Sequence, residues 1–386
     1  MAIQVAVGLS ESFDAVEAFS EAAADAAAGL DGDCDLCLVF AGAPHLGHGK
    51  WILSTVHEQL SPRHLIGCGA GGVVGAGREI EEGPAAVVWA ASMPEAEIET
   101  HHFEVEQADA GGYALLGVPD RALGEAMIVL ADPYTFATEA LLERVAELRP
   151  GMPVLGGLAS AAAAGSASLF RDGDVVNGGA VACSLSGVPV LPCVSQGAAP
   201  VGPEMTVTAG RGNVIDELAS QPAISRLEAA IAELDVRDRQ LAASGLMLGI
   251  VIDENQPEYR RGDFLVRPII GADTEAGTIT IGERVRTGQT VRIHVRDGAS
   301  ADEDLRAILR AQIDTLGSTR PAGALLFTCN GRGAHMFQVP DHDASAIEDA
   351  LGVPTGGFFC AGEIGPVGGR NFLHGFTATM ALFPAE

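Results

Sequence analysis

A thiol, an amide and a guanidinium lie close together near the carboxyl end of the chain. Residues 327–333 (FTCNGRG) place Cys329, Asn330 and Arg332 directly after an apolar segment that is typical of a strand. The two glycines of this segment permit a tight turn, since glycine adopts backbone angles that other residues avoid. Polar side chains that converge at the end of an apolar strand are typical of a binding site.

Two later segments add further polar groups to this set. Residues 360–366 (CAGEIGP) contain Glu363, and residues 369–375 (GRNFLHG) contain Arg370 and His374. If the repeats described below share one geometry, these loops lie at the same edge of a sheet as the cysteine of the first segment. The sequence therefore predicts one candidate site built from three loops.

Three interpretations of these residues stay open from the sequence. A ligand carboxylate would pair with one of the two arginines, while Asn330 and Glu363 contact its other polar groups. Alternatively, Cys329, Glu363 and His374 form the nucleophile, base and orienting group of a cysteine-dependent hydrolase. In the structural interpretation, the thiol is a buried strand residue, the glutamate pairs with an arginine, and the histidine belongs to the core. Because no complete catalytic motif is visible, we predict a binding protein and not an enzyme.

Other motifs give weaker signals. Residues 67–72 (GCGAGG) match the dinucleotide-binding pattern, but too many glycines follow for a helix, so a tight crossover is the preferred interpretation. Cys34 and Cys37 form a CxxC motif inside a predicted strand, where we expect a structural role and not zinc or redox chemistry. The histidines lack a zinc-binding spacing, so no metal is predicted. A single axial ligand leaves no spacing signature, and haem stays open.

The elements that position these residues recur three times along the chain. Each repeat has an apolar strand, a helix, a strand ending in glycines and a further apolar strand. The predicted segments are 36–40, 51–60, 65–72 and 86–91 in the first repeat, 127–130, 134–148, 154–157 and 179–185 in the second, and 324–327, 344–351, 355–359 and 375–382 in the third. Continuously apolar strands of this kind are typical of sheets that are covered on both faces.

A different pattern separates the second and third repeats. An amphipathic segment within residues 210–241 predicts a connecting helix, and residues 246–295 alternate β segments with glycine turns, as in a meander. A helix over residues 302–316 precedes the third repeat. We therefore predict an α/β (mixed α+β) fold of two modules with sheets flanked by helices, built from repeated β-α-β-β units. The predicted domains are residues 1–240 and 241–386.

The composition restricts the classes of partner. The chain of 386 residues is 47% hydrophobic and has 51 acidic against 23 basic side chains, for a formal net charge of -28. A surface of that sign repels nucleic-acid backbones and anionic lipid headgroups, so neither a nucleic acid nor a membrane is a predicted partner. The start of the chain lacks the features of a signal peptide, and unpaired cysteines fit a reducing compartment, so we expect a cytoplasmic location.

These motifs together resemble the FIST family, with its N-terminal and C-terminal FIST domains. The matching segments follow one another along nearly the whole chain: residues 65–81, 194–213, 327–332 and 357–366, then His374 and Thr377. The first segment adds two residues to the candidates. The predicted ligand-binding residues are then Cys329, Asn330, Arg332, Glu363, Arg370, His374, Cys68 and Glu79.

The resemblance implies a sensory module for a small ligand, such as an amino acid or a similar molecule, in signal transduction. Some FIST relatives are haem proteins that sense nitric oxide, and a eukaryotic branch carries an F-box for ubiquitin ligation. This sequence shows no F-box, kinase, cyclase or receiver segment beside the FIST region. We therefore expect a bacterial, cytoplasmic sensory protein whose signal passes to a separate partner protein.

Overall fold

The computed structural model describes residues 2–107, 113–119, 124–161 and 167–385, which form a mixed α+β structure of four sheets with flanking helices. The first part of the chain forms β1 (Gln4–Ser10), α1 (Ala15–Ala28), β2 (Leu36–Gly42), a 3-10 helix (Ala43–His48), α2 (Gly49–Leu60), β3 (His64–Ala70), β4 (Val73–Gly75), β5 (Arg78–Ile80), β6 (Ala86–Ser92), β7 (Glu97–Gln107), β8 (Tyr113–Leu116), β9 (Ala126–Ala131), α3 (Thr138–Leu148), β10 (Val154–Leu158), β11 (Ser168–Arg171), β12 (Asp174–Asn177), β13 (Ala180–Ser186) and β14 (Leu191–Gln196). The middle part forms β15 (Ala198–Arg211), β16 (Val214–Leu218), β17 (Gln221–Pro222), α4 (Ala223–Glu233), α5 (Val236–Ser244), β18 (Leu246–Val251), β19 (Phe264–Asp273), β20 (Thr278–Ile281), β21 (Thr290–Arg296) and α6 (Gly298–Leu316). The last part forms β22 (Pro321–Cys329), α7 (Ala334–Phe337), α8 (His342–Leu351), β23 (Thr355–Cys360), β24 (Glu363–Val367), β25 (Arg370–His374) and β26 (Thr377–Pro384).

The chain divides into two compact units. The first comprises residues 1–194, 305–373 and 377–386, and the second comprises residues 195–304 and 374–376. The first unit thus holds all three repeats, and the meander forms the second. The sequence predicted a different division, with the meander and the third repeat together in one domain after residue 240. That domain boundary stays a prediction.

The β-α-β-β order predicted for each repeat is confirmed. In every repeat a parallel strand pair is connected through a helix, and a later strand pairs antiparallel with the first strand of the pair. The three sets are β2, β3 and β6, then β9, β10 and β13, then β22, β23 and β26. Apolar side chains of α2, α3 and α8 pack against their own parallel pair, which is why these strands are apolar on both faces.

The repeats also exchange hairpins, which the sequence did not reveal. The hairpin that follows each parallel pair joins the sheet of another repeat: β4–β5 pairs with β23, β11–β12 pairs with β3, and β24–β25 pairs with β10. The exchange is cyclic, since each repeat gives its hairpin to one neighbour and receives a hairpin from the other. Each sheet is therefore completed by another repeat, and this explains why the three repeats form a single compact unit.

One glycine in each repeat permits this packing. At Gly67, Gly156 and Gly357 an added Cβ atom would lie 2.3, 1.9 and 1.8 Å from a carbonyl oxygen of the preceding parallel strand. Only glycine allows so close an approach of two backbones. The glycine motif at residues 67–72 therefore has a packing cause, and the short strand β4 follows it in place of the helix that a dinucleotide site requires.

Most predicted elements are present with small shifts at their ends, and α3 shows why such shifts occur. The pattern predicted a helix from residue 134, but α3 begins at Thr138. The Asp132 carboxylate accepts hydrogen bonds from the Tyr134 N–H and the Thr135 hydroxyl, both at 2.9 Å, which forms a turn in place of the first helical turn. The predicted connecting helix within residues 210–241 is likewise divided into strands and the two helices α4 and α5.

The second unit is a sheet in the order β15–β21–β18–β19–β20–β16–β17 with α4 and α5 packed against it. Its neighbouring strands pair antiparallel, as the predicted meander requires. None of the helices in the described ranges combines the length and apolar character that crossing a membrane demands.

Candidate functional site

Residues from all three repeats meet where the parallel strands end in the first unit. The Gly71 N–H donates to the Ser160 hydroxyl oxygen at 2.8 Å, and the Ser160 hydroxyl donates to the Phe359 carbonyl. The Oδ1 atom of Asn330 lies 3.9 Å from where a Cβ of Gly71 would stand. The loops after the parallel pairs are therefore close together, as the repeat pattern predicted.

Cys329 and Glu363 form the centre of this region. The Cys329 thiol is hydrogen-bonded to the Glu363 carboxyl group, whose Oε2 also accepts from the Thr377 N–H at 3.1 Å and the Thr377 hydroxyl at 2.9 Å. Glu363 has no solvent exposure. Burial raises the pKa of its carboxyl to about 8 in spite of these hydrogen bonds, so the group is mostly protonated at neutral pH.

Arg332 is fully buried and pairs with Asp343 at the start of α8. Its Nε donates to Asp343 Oδ2 at 2.7 Å and its Nη2 donates to Oδ1 at 2.8 Å, in a bidentate geometry. The Thr328 hydroxyl and His342 Nδ1 contact the same carboxylate at 2.8 and 2.9 Å. Burial opposes both charges, but the attraction of Arg332 still holds the pKa of Asp343 below its usual value.

The third nitrogen of the Arg332 guanidinium is not used in this pair. Among the described residues, Nη1 has no hydrogen-bond partner, although it is buried. The guanidinium also interacts electrostatically with Cys329 and Glu363, so it belongs to the same cluster. A buried cationic donor without an acceptor is costly, and this atom is therefore the strongest sign of a ligand in the first unit.

Glu79 lies next to this cluster, where it contacts a helix terminus. Its Oε1 accepts from the Ala344 N–H at 2.9 Å, and its own N–H donates to Asp341 Oδ1 at 2.6 Å. Burial, and then the charge of Asp343, raises the pKa of Glu79 to about 7. These contacts join the hairpin of the first repeat to α8 of the third, so Glu79 stabilises the hairpin exchange as well as the polar cluster.

Cys360 and Cys68 extend the cluster toward the core. Cys360 pairs in register with Cys329 across β22 and β23. Burial, then the nearby Glu363, Cys68 and Cys329, raises the pKa of the Cys360 thiol well above its usual value. Burial likewise raises the pKa of Cys68. All seven cysteines of the chain are free thiols.

The other two predicted residues, Arg370 and His374, are the first and last residues of β25. Arg370 is exposed at the start of β25, with its guanidinium carbon 5.4 Å from the centre of the Phe372 ring. His374 ends β25 and belongs to the second compact unit. The structure therefore connects Cys329, Asn330, Arg332, Glu363, Cys68 and Glu79, and the role assigned to the other two stays a prediction.

The most important residue that the sequence analysis missed is Asp343. It follows Asp341 and His342 at the start of an amphipathic helix, and this concentration of polar residues before a helix was the available signal. Thr377 lay in the matched family segment but had no assigned role, and it holds Glu363 in place. Within the described ranges, no group of three or more His, Cys, Asp or Glu side chains is arranged to hold a metal ion.

The fold and the cluster define a mixed α+β protein of three hairpin-exchanging repeats with a buried polar group at the strand ends. The chain belongs to the FIST family: the FIST N domain matches residues 35–221 and the FIST C domain matches residues 223–366. The FIST resemblance of the sequence motifs is thereby confirmed. FIST domains are associated with sensory signal transduction and small-ligand binding.

Mycobacterial proteins are similar to this chain over its whole length. The uncharacterized protein Rv0628c of Mycobacterium tuberculosis is 43% identical over 385 residues, which cover 99% of this chain and 100% of that protein. The uncharacterized protein Mb0898c of Mycobacterium bovis is 43% identical over 386 residues, which cover 99% of each chain. Both matches extend over nearly the full length of the two proteins compared.

Proposed function

We propose that this protein is a sensory protein that binds a small ligand at the Arg332 cluster and transmits its state to a separate partner protein. One observation carries the proposal: Arg332 is completely buried, yet its Nη1 has no acceptor among the described residues. A ligand oxygen at this atom would remove the cost of the unpaired donor. The association of FIST domains with ligand binding supports the same assignment.

The charges of the cluster favour a ligand with acceptor oxygens. Asp343 already neutralises Arg332, and Glu363 is mostly protonated at neutral pH because burial raises its pKa to about 8. The cluster thus offers a guanidinium N–H, a carboxyl O–H and the exposed amide of Asn330. A carboxylate or a carbonyl group of an amino-acid-like molecule matches these donors.

The first experiment identifies the ligand. The protein is purified without denaturation, and small molecules released from it are identified by mass spectrometry. Candidates are then added to the ligand-free protein, and the midpoint of thermal unfolding is measured. A ligand at about 100 times its Kd should stabilise the native state by about 2.7 kcal/mol.

Variants then test the location of the site. Asn330→Ala should reduce the thermal shift because it removes the amide, and Glu363→Gln should reduce it because an amide replaces the carboxyl O–H. Arg332→Lys keeps the charge but loses the planar donor geometry and should reduce the shift further. Arg63→Ala is the control, because this arginine is exposed and pairs with Asp33 and Asp35 in the first repeat. Equal shifts in the wild type, Asn330→Ala and Glu363→Gln would exclude this location.

Haem binding was the alternative that the sequence left open. An axial histidine must face a cavity that is large enough for the macrocycle. Three cavities of about 580, 470 and 350 Å³ are lined by residues of the described ranges, and none of these three has a histidine in its wall. These three cavities therefore offer no axial histidine, and haem stays an alternative that absorbance decides. A shifted Soret band when the purified protein is mixed with haem would support it.

A cysteine-dependent hydrolase was the other alternative, with His374 as the orienting group. The contact between Cys329 and Glu363 favours chemistry at this thiol. The group that holds Glu363 Oε2, however, is Thr377. Thr377 thus makes the orienting contact that the sequence assigned to His374, and a hydrolase is not our preferred proposal.

A further inference from the structure

Two thiols face each other at the end of the third repeat. Cys329 and Cys360 are register partners on the adjacent parallel strands β22 and β23, and no disulfide joins them. Register partners present their side chains on the same face, at the strand spacing of about 4.8 Å. This spacing falls inside the range of Cα separations that a disulfide bond accepts.

The first of these thiols has both an acid–base group and a cation beside it. The Cys329 thiol is hydrogen-bonded to Glu363, and its sulfur accepts from the Gly331 N–H at 3.4 Å. Arg332 interacts electrostatically with the same sulfur. Backbone N–H groups and cations stabilise a thiolate, which is the form that reacts. Glu363, with a pKa of about 8, is mostly protonated at neutral pH, so one oxygen of its carboxyl group can take up the thiol proton while the carboxyl proton passes to the leaving oxygen.

Access to the two thiols is unequal. Cys329 is 8% exposed, whereas Cys360 is fully buried, with its sulfur 2.3 Å from where a Cβ of Gly157 would stand. A small oxidant should therefore meet Cys329 before Cys360. The second thiol is accessible only to a group that has already formed on the first.

We propose that Cys329 and Cys360 form a peroxide-sensitive dithiol, in which a hydroperoxide oxidises Cys329 and Cys360 then closes a disulfide. This modification site goes beyond ligand binding and does not depend on it. Since the disulfide would consume the thiol at the centre of the cluster, oxidation would also alter the proposed ligand site.

The two steps balance in atoms and electrons. In the first, the Cys329 sulfur attacks one peroxide oxygen, an S–O bond forms and the O–O bond breaks. The thiol proton passes through Glu363 to the departing oxygen, which leaves as an alcohol or as water. In the second step, the Cys360 sulfur attacks the Cys329 sulfur, the S–O bond breaks and water leaves with the Cys360 proton. Two thiols are oxidised to a disulfide, and one hydroperoxide is reduced.

The CxxC pair of the first repeat is an internal reference. Cys34 and Cys37 are hydrogen-bonded to each other, and both are buried. Burial and the neighbouring Cys34 raise the pKa of Cys37 well above its usual value, and no carboxyl group is among the causes of that shift. Two adjacent thiols alone should therefore react more slowly than a thiol with a carboxyl group and a guanidinium beside it.

The experiment treats the reduced full-length protein with hydrogen peroxide and follows the products by mass spectrometry. We expect the intact mass to fall by two hydrogens and a peptide cross-link between Cys329 and Cys360 to appear before any link between Cys34 and Cys37. In Cys360→Ser, dimedone should trap a sulfenic acid on Cys329. In Cys329→Ser, neither product should form at the third repeat. Cys193→Ser, which changes a buried thiol outside both pairs, should behave as the wild type.

The role of Glu363 is tested by rate and by pH. Glu363→Gln should slow disulfide formation by about tenfold or more at neutral pH, since glutamine cannot take up the proton. Its rate should then rise steeply with pH, because hydroxide replaces the missing base. Circular dichroism checks that each variant is folded.

Three results would overturn the proposal. They are a cross-link that involves Cys68, faster oxidation of the Cys34 and Cys37 pair, and persistence of all thiols at peroxide doses that oxidise free cysteine. The ligand test uses the reduced protein and a thermal shift, and the oxidation test uses covalent products. Failure of one proposal can therefore be distinguished from failure of the other.

Discussion

The first and third repeats have the same backbone arrangement but very different side chains at their strand ends. The last register pair of β2 and β3 is Gly42 and Ala70, whereas that of β22 and β23 is Cys329 and Cys360. In both repeats this pair is the last one of two parallel strands, and the first of these strands also pairs with an antiparallel third strand. The first repeat fills this position with small inert groups, and the third fills it with thiols.

The exchanged hairpins show the same contrast. The hairpin strands of the first and second repeats enter their acceptor sheets with Val73 and Leu169, which are buried apolar residues. In the third repeat, the first hairpin residue that pairs with the acceptor sheet is Glu363, which is equally buried but ionisable. A buried ionisable group costs stability unless it is neutral or paired. The comparison indicates that two repeats supply packing and that the third accepts a loss of stability to build a polar site.

The largest expected loss of stability tests whether the close approach of the two parallel strands is the same in the first and third repeats. Gly357→Ala in the third repeat and Gly67→Ala in the first should each destabilise the protein by about 4 kcal/mol or more, because the new Cβ would collide with a backbone carbonyl. The measurement is chemical denaturation followed by circular dichroism.

The control for this pair is Gly47→Ala. No atom lies within 4 Å of its added Cβ, so the free energy of unfolding should change by about 0.5 kcal/mol or less. If only one of the two strand glycine variants lost stability, the parallel strands of the two repeats would not be packed in the same way.

The next effect tests the buried ion pair, which distinguishes the third repeat. Asp343→Asn should lower the free energy of unfolding by about 3–5 kcal/mol, because it leaves the Arg332 charge buried without a counterion. In the first repeat, Arg63→Ala should cost about 1 kcal/mol or less, since the Arg63 side chain is 60% exposed where it pairs with Asp35. Similar losses for the two variants would contradict the contrast between the repeats.

The pH dependence of stability tests Glu363. Its folded pKa of about 8 lies above the usual carboxyl value of 4.5, so the native state binds the proton more tightly than the unfolded state. The resulting stabilisation is complete below about pH 4.5 and is lost as the pH rises to about 8, by a total on the order of 5 kcal/mol.

Glu363→Gln should remove this part of the pH dependence, and unfolding measured at several pH values between 5 and 9 checks it. Glu79, with a folded pKa raised to about 7, adds a smaller loss in the same direction, which persists in the variant. Asp343 acts oppositely, because its lowered pKa causes a loss of stability below about pH 4. An unchanged slope in Glu363→Gln would mean that the glutamate is ionised in the native state.

The smallest effect tests the thiols. Cys360→Ala gives the third repeat the alanine that Ala70 provides in the first, and it should cost about 1 kcal/mol through the loss of a buried sulfur. Thermal unfolding checks this value. A much larger loss would show that the thiol is required for packing, in which case its chemistry would not explain its presence.

The sequence by itself determined the elements and the repeats, and it indicated which polar residues stand at the strand ends. Apolar runs of strand length, helical spacing and glycine turns are local patterns, and local patterns predict local structure. This is why the strand, helix, strand and strand order was correct in all three repeats. Cys329, Arg332 and Glu363 were selected for the same reason, since each lies at the end of a strand or within three residues of it.

Only the tertiary structure decided how the repeats combine and what each polar residue does. The hairpin exchange depends on pairing between strands that are far apart in the chain, such as β4 with β23, and no local pattern encodes such a partner. The role of Arg332 likewise depends on Asp343, which lies on another element, and the role of Glu363 depends on its burial. Burial and pairing set the charge and reactivity of a side chain, and both are properties of the folded chain and not of the residue type.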